Sequence, residues 1–164
     1  MEDVGASSSR EETFASLLAA NRRRLQAIAR TYARGEAERD LLQEILLQLW
    51  RSLDSFEGRS SLDTWAYRVA LNTAIVWRRK AGTEPREHRG ADEGEQPAAT
   101  AGPRDELAIL DEFVSGLGPA DKALFVLYLE DLTYRQIAEV TGLTESHVGV
   151  KLHRLKRAFK ERYL

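Results

Sequence analysis

The sequence predicts an all-α protein made of two small helical domains that are joined by a flexible linker. Apolar residues recur every three or four positions on both sides of a central gap, which is the period of an amphipathic helix, and no stretch shows convincing strand alternation. The gap, 81–104, holds three of the chain's four prolines and almost no large apolar residue. We therefore expect helical domains at about 11–80 and 105–164, on either side of this linker.

The first domain contains a helix over residues 40–53 with two distinct faces. One face is apolar and is predicted to be buried: Leu41, Leu42, Ile45, Leu46, Leu49 and Leu53. The outer face carries Asp40, Gln43, Glu44, Leu47, Gln48 and Arg51. A leucine among carboxylates and amides is either one of the single leucines common on protein surfaces or part of a docking face for a basic partner.

A second helix follows over about residues 62–80. Its predicted inner face consists of Leu62, Trp65, Ala66, Val69, Thr73 and Val76, while Arg68, Asn72 and Arg79 share one outer edge. Residues 59–80 carry five basic residues against one acidic residue. The aromatic residues interleaved with this charge are Phe56, Trp65, Tyr67 and Trp77. Aromatic rings beside cations suit single-stranded nucleic acid, although aromatics at helical spacing are more often core residues.

The predicted linker is acidic, with five acidic against two basic residues between positions 81 and 103. This composition is typical both of a plain flexible tether and of an acidic segment that binds a basic partner, and it favours neither.

The C-terminal domain carries YRQIAEVTGLTESHVGVKLHRLK at residues 134–156. Two short helical patterns meet there at Gly142, where a tight turn favours glycine, and Thr144 is a candidate N-cap of the second helix. In the second helix, Val148, Leu152, Leu155 and Phe159 form an apolar face, opposite Ser146, Val150, His153, Arg154 and Arg157. This pattern predicts a helix-turn-helix whose second helix enters the DNA major groove, although an ordinary helical hairpin has a similar pattern.

Composition excludes several other functions. The 164 residues contain no cysteine, so disulfides, thiolate metal sites and cysteine nucleophiles are absent. The three histidines have no cysteine partners and no glycine-rich phosphate loop occurs, so we expect no catalytic residue, no metal and no cofactor. No apolar run approaches the roughly 20 residues that span a bilayer, and the acidic, serine-rich start is unlike a signal peptide. We expect a cytoplasmic protein without membrane insertion.

Taken together, the two domains resemble the extracytoplasmic-function (ECF) sigma factors, the minimal sigma-70-type initiation factors of bacterial RNA polymerase. The resemblance covers about residues 11–80 and 105–162, with a linker where the family has one. It implies a non-enzymatic initiation factor that binds core RNA polymerase, directs it to promoters and helps melt the −10 element. It leaves room for an anti-sigma factor as a further partner.

The stretch DLLQE, residues 40–44, is similar to the segment that docks on the clamp helices of the largest polymerase subunit. The docking residues implied by this resemblance are Asp40, Gln43, Glu44 and Leu47. Arg39 is a departure, because the family commonly has an acidic residue there.

The stretch FEGRSSLDTWAYRVALNTAIVWRRK looks like the part that melts and reads the −10 element on the non-template strand. The resemblance implies that the loop 55–61 holds a flipped-out base, with Asn72 near it and arginines on the DNA backbone. The residues implied in −10 binding are Phe56, Arg59, Ser60, Trp65, Arg68, Asn72, Arg78 and Arg79.

The C-terminal helix-turn-helix looks like the part that reads the −35 element as duplex DNA. The residues implied in −35 binding are Arg135, Ser146, His147, Val150, Lys151, Arg154 and Arg157. The family usually has two basic or polar residues where this chain has Gly149 and Val150. An apolar contact of Val150 with a thymine methyl group is one consequence of this departure.

Two alternatives remain open at the level of sequence. The chain could be a helix-turn-helix regulator that binds duplex operators and dimerises through its N-terminal domain. A dimerisation domain, however, has no reason to be basic and aromatic over residues 56–80. The other alternative is an interaction protein that sequesters a partner through the Leu47 face and binds no DNA.

Overall fold

The computed structural model of the chain describes residues 3–83 and 105–164. Within these two ranges the regular structure consists of seven α-helices and one short 3₁₀ turn, with no strand. The all-α prediction is confirmed. Most of the predicted linker lies outside the described residues. Its first three positions, 81–83, continue a helix instead.

The first lobe, residues 3–83, is built from three helices: α1 (Asp3–Tyr32), α2 (Glu36–Ser52) and α3 (Leu62–Thr83). A 3₁₀ turn at Leu53–Ser55 follows α2. The helix α1 begins about two turns before Glu11, where the sequence predicted the lobe to start. This N-terminal part of α1 reaches the far end of α2, because Phe14 packs edge-on against Trp50 with ring centroids 5.1 Å apart.

The two faces predicted for α2 are confirmed. Leu41, Ile45 and Leu49 are fully buried, whereas Leu47 on the opposite face is 40% exposed. The burial follows from the helical period, since residues four apart lie on the same side and pack against α1 and α3.

The face predicted to be buried on α3 is partly wrong. Val76 is exposed, whereas Ala66 is fully enclosed as predicted. Ala70 and Ala74, which were not predicted to face inward, are also fully enclosed, and Tyr67 is buried. The prediction assumed a single apolar stripe, but α3 contacts α1, α2 and a helix of the second lobe. The small alanines allow the neighbouring helices to approach closely, which shifts the buried side away from the largest residues.

The second lobe, residues 105–164, contains α4 (Glu106–Ser115), α5 (Pro119–Leu129), α6 (Tyr134–Thr141) and α7 (Glu145–Tyr163). Its core includes an aromatic cluster in which Phe113 packs edge-on against Phe125 and Phe159, with centroids 5.3 and 5.2 Å apart.

The helix-turn-helix formed by α6 and α7 has clear local causes. Thr133 and Gln136 form a reciprocal capping box at the start of α6. Gly142 ends α6 with φ of 76°, a left-handed conformation that glycine adopts without steric cost. Thr144 caps α7 by accepting a hydrogen bond from the amide of His147 at 3.2 Å. The predicted turn and N-cap are both confirmed.

Within the described ranges, no helix combines the length and the apolar character that crossing a membrane requires.

Candidate nucleic-acid interface

The outer edge of α2 presents acidic and amide groups around one exposed leucine. Asp40, Gln43 and Leu47 are exposed, and Arg39 is exposed beside them. Glu44 is half-buried and accepts a hydrogen bond from Gln48 Nε2 at 2.8 Å. The four predicted docking residues therefore lie on one side of the helix, where they suit a basic partner surface with an apolar centre.

A groove between α2 and α3 joins the predicted docking residues to the predicted −10 residues. Its volume is about 520 Å³, and it lies open to solvent. The side chains that line it are Glu44, Gln48, Asn72, Thr73, Val76, Trp77 and Lys80. The exposure of Val76, which the sequence placed in the core, is explained by its position in this groove.

The loop between the 3₁₀ turn and α3 carries polar side chains on an aromatic support. The Phe56 ring packs against Trp65, with centroids 5.7 Å apart, so both rings are half-buried. Gly58 has φ of 72°, which turns the chain back toward α3. Arg59 is exposed and pairs with Glu57 at 2.7 Å. Ser60 is half-buried and donates to the carbonyl of Ser61 at 3.1 Å.

The predicted edge of α3 is exposed at Arg68, Asn72 and Arg79, and Arg78, the other basic residue predicted to bind the −10 strand, is exposed as well. Arg68 is nevertheless engaged, because its guanidinium donates a hydrogen bond to the main-chain carbonyl of Glu139 on α6. Tyr67, which the sequence grouped with the aromatics beside these cations, is buried and is not available for stacking.

The polar contacts between the lobes run from donors of the first lobe to acceptors of the second. Arg24 Nε donates to the carbonyl of Glu130 at 3.2 Å, and the hydroxyl of Tyr32 donates to the carbonyl of Pro119 at 3.2 Å. Arg34 pairs with Asp111 at 2.5 Å. Sequence reasoning missed these contacts, because hydrogen bonds and ion pairs between residues about 80 to 110 positions apart leave no periodic pattern.

A buried polar network lies under this contact in the first lobe. Asn21, 1% exposed, donates to Asp63 at 2.6 Å and accepts from the hydroxyl of Tyr67. Arg24 Nη1 donates to that hydroxyl at 3.0 Å. Burial raises the pKa of Tyr67, and the hydrogen bond from Arg24 opposes the shift. The network ties α1 to α3 and explains why Tyr67 faces inward.

The recognition helix α7 exposes most of the residues predicted to read DNA. Ser146, His147, Arg154 and Arg157 are exposed, and Val150 is 58% exposed. Three predicted residues form ion pairs with acidic side chains: Lys151 with Asp121 at 3.2 Å, Arg157 with Glu161 at 3.2 Å, and Arg135 of α6 with Glu139 at 3.4 Å.

Gly149 has a packing role. A β-carbon at this position would lie 3.5 Å from the Tyr134 ring, so residue 149 faces α6 rather than the exposed side of α7. Lys156, counted as basic charge in the sequence, donates to the hydroxyl of Tyr134 at 3.1 Å and lies 4.9 Å from the Tyr128 ring centroid. The hydrogen bond to Tyr134 raises the pKa of Lys156. Neither residue belongs to the exposed reading face.

Across residues 3–83 and 105–164, no cluster of three or more histidine, aspartate or glutamate side chains could hold a metal ion.

Comparison with known proteins gives matches in both lobes. The sigma-70 region 2 family model matches residues 17–84, and the sigma-70 region 4 model matches residues 107–159. The RNA polymerase sigma factor YlaC of Bacillus subtilis is 29% identical over 133 residues, which cover 77% of each chain. The ECF RNA polymerase sigma factor SigX of the same species is 30% identical over 129 residues, or 70% of this chain and 64% of SigX.

The fold is also similar to a solved structure, that of the sigma factor RpoE in complex with the anti-sigma factor NepR from Bartonella quintana. The TM-score is 0.68 at 22% identity, over 92% of this chain and 94% of that one. The two family matches follow each other in the family's order and together span most of the chain. The chain therefore belongs to the sigma-70 family and is an ECF-type sigma factor, a non-enzymatic transcription initiation factor.

Proposed function

We propose that the outer edge of α2 docks on the clamp helices of core RNA polymerase, while α3 and the loop before it capture the melted −10 strand. The observation that carries this proposal is the groove in which Glu44 and Gln48 of α2 face Asn72 and Lys80 of α3. Docking on α2 thus takes place next to the surface that receives the strand. Polymerase and single-stranded DNA together would cover this groove.

The loop and the edge of α3 have the chemistry that strand capture needs. Phe56 and Trp65, which pack against each other at a tilt of 56°, provide an aromatic platform. Asn72 has an amide that can both donate to and accept from a base edge, and exposed Arg78 supplies charge for the phosphates. In the second lobe, Arg154 and Val150 of α7 are exposed and face outward to read the −35 duplex. Arg154 would contact a base or a phosphate, and Val150 would make an apolar contact with a base.

Promoter binding by both lobes requires them to separate. Arg68 donates to Glu139 of the second lobe, and Asn72 also lines a cavity of about 230 Å³ between the lobes, beside Val140 and Leu143. Both side chains are exposed, but α6 occupies the space on one side of them, so full contact with DNA would require α6 to move away. The contact between Arg68 and the carbonyl of Glu139 would be exchanged for one with a phosphate.

The likeness to RpoE, which was solved in complex with NepR, supports an anti-sigma factor as a regulatory partner of this chain. A factor that acts with polymerase on chromosomal DNA functions in the cytoplasm, so we expect this protein there.

Run-off transcription from a library of genomic fragments tests the proposal. Core polymerase with this protein should produce discrete transcripts that core polymerase alone does not. Their start sites would define the promoter, and a docking variant, Leu47→Asp, should abolish them because a charge replaces the apolar centre of the docking edge. Identical transcripts with and without the protein would contradict the proposal.

A further inference from the structure

The N-terminal part of α1, before the stretch matched by the region 2 family model, holds the end of α2 in place. The match begins at residue 17, yet α1 begins at Asp3. Two residues of this part, Arg10 and Phe14, contact Trp50 in the last turn of α2. The part of the chain outside the family match therefore contacts the helix that leads into the −10 loop.

Arg10 makes three contacts at this junction. Its Nη2 donates to the carbonyl of Trp50 at 2.6 Å, and its Nη1 pairs with Asp54 at 3.2 Å. The guanidinium carbon also lies 4.3 Å from the centroid of the Trp50 ring. A planar guanidinium can lie over the ring and donate from two separate nitrogens at once, whereas a lysine ammonium carries its three donors on a single nitrogen and has no flat face. Its positive charge also suits the C-terminal end of a helix.

The contact with Asp54 links Arg10 to the start of the −10 loop. Asp54 lies in the 3₁₀ turn Leu53–Ser55, and Phe56 comes directly after that turn. The other end of the loop is fixed separately, since Ser61 Oγ accepts from the amide of Thr64 at 3.1 Å at the start of α3. Arg10 is thus a side chain of α1 that fixes the turn from which the loop starts.

We propose that Arg10 is a positioning residue for −10 strand capture, acting through Asp54 on the loop 56–61. This inference rests on the proposed function of that loop. Without Arg10, the 3₁₀ turn has one fewer fixed contact, and the platform of Phe56 on Trp65 is held less firmly in the geometry that receives a base. Binding that depends on a preformed site loses affinity when its support is loosened.

The test measures the affinity of the holoenzyme for a fork-junction DNA that carries the identified promoter's single-stranded −10 sequence. Arg10→Ala should weaken fork binding about tenfold, the scale on which a misplaced binding group acts. Asp54→Ala should weaken it less, because Asp54 takes part in only one of the three Arg10 contacts and its side chain is 71% exposed. The double variant should be no weaker than Arg10→Ala alone, because both changes break one connection. Arg10→Lys should recover only part of the loss. Arg22→Ala, an exposed arginine on the same helix, is the matched control and should bind as the wild type does.

Two further measurements separate positioning from general destabilisation. The affinity of Arg10→Ala for core polymerase and its urea unfolding midpoint should stay close to those of the wild type. Equal losses in core affinity, unfolding midpoint and fork binding would overturn the inference, as would unchanged fork binding. If Arg10→Ala does not fold, Arg10→Lys takes its place. Weaker fork binding by Arg10→Lys at unchanged core affinity and unfolding midpoint would support the inference, and unchanged fork binding would overturn it.

Phe56→Ala distinguishes failure of this inference from failure of the proposed function. If Phe56→Ala weakens fork binding and Arg10→Ala does not, only the role of Arg10 is wrong. If neither variant affects fork binding, the loop does not receive the strand, and the role of Arg10 falls with the proposed function.

Discussion

Arg68 of α3 donates a hydrogen bond to the main-chain carbonyl of Glu139, the residue three positions before Gly142 at the end of α6. A candidate −10 residue of the first lobe is thus engaged by the helix-turn-helix that would read the −35 element. The Arg34–Asp111 and Arg24–Glu130 contacts hold the lobes together in the same arrangement.

A reversible cross-link between the lobes should block initiation. Arg34 and Asp111 are both exposed and lie in contact, and the natural chain has no cysteine, so Arg34→Cys with Asp111→Cys gives the only two thiols. A bismaleimide with a disulfide in its spacer should abolish promoter-dependent transcription, and dithiothreitol should restore it. The single-cysteine variants, treated identically, serve as controls. Full transcription by the cross-linked chain would show that the lobes need not separate.

Removing the amide of Asn21 should destabilise the first lobe. Asn21→Ala removes the acceptor for the hydroxyl of buried Tyr67 and the donor to Asp63, for which we expect a loss of about 1–3 kcal/mol in the free energy of unfolding. Urea unfolding followed by circular dichroism measures it. Asn72→Ala is the matched control, since Asn72 is exposed, and its change should stay within about 0.5 kcal/mol. Equal effects of the two changes would contradict the buried network.

Stability should fall at alkaline pH, and Tyr32 should account for part of the loss. Burial raises the pKa of Tyr32 well above its ordinary value, and burial also raises that of Tyr67. Above the unfolded value of about 10, the unfolded chain releases these protons before the folded chain does. The contribution of these two tyrosines to the free energy of unfolding is therefore fully present below about pH 10. It is lost as the pH rises through the pKa values that the tyrosines have in the folded state.

The Tyr32→Phe variant has one such group fewer. It should lose less unfolding free energy than the wild type between about pH 8 and pH 11. At the lower pH it should be slightly less stable, because the hydrogen bond to Pro119 is missing. Urea unfolding at the two pH values measures the difference. An equal pH-dependent loss in both proteins would mean that Tyr32 is not buried in solution.

On the recognition helix, Arg154→Ala should weaken binding of the holoenzyme to the −35 duplex. We expect a loss of about 1–3 kcal/mol in binding free energy if Arg154 contacts a base, and a smaller loss if it contacts only phosphate. The control is Lys160→Ala, which removes another exposed basic residue of α7 and should reduce the binding free energy by less. Fluorescence anisotropy with promoter and scrambled duplexes separates the two cases. No loss with Arg154→Ala would remove it from the reading face.

Local features of this chain could be predicted from sequence, and contacts between distant segments could not. The faces of α2 follow from leucines at helical spacing, and the helix-turn-helix follows from Gly142 and Thr144, whose roles are local. Of the three functions that the sequence left open, family membership supports the initiation factor and not the operator-binding regulator or the sequestering protein.

The faces of α3 were predicted less well, because a helix packed on several sides buries its small residues as well as its large ones. Tyr67 faces inward since its hydroxyl finds Asn21 and Arg24, 46 and 43 residues away in the chain. The role of Arg10 depends on Trp50, 40 residues away. The periodicity of a single helix contains no information about contacts between residues so far apart in the chain.

The central claim is that the exposed edge of α3 captures the melted −10 strand, and Asn72→Ala tests it most directly. With core polymerase on the identified promoter, the variant should still bind the −35 duplex but form open complexes poorly. The permanganate reactivity of thymines in the −10 region should fall accordingly. A template with a pre-melted −10 bubble should restore opening only in part, because Asn72 is proposed to contact the base and not only to assist melting. Permanganate reactivity equal to that of the wild type would contradict the claim.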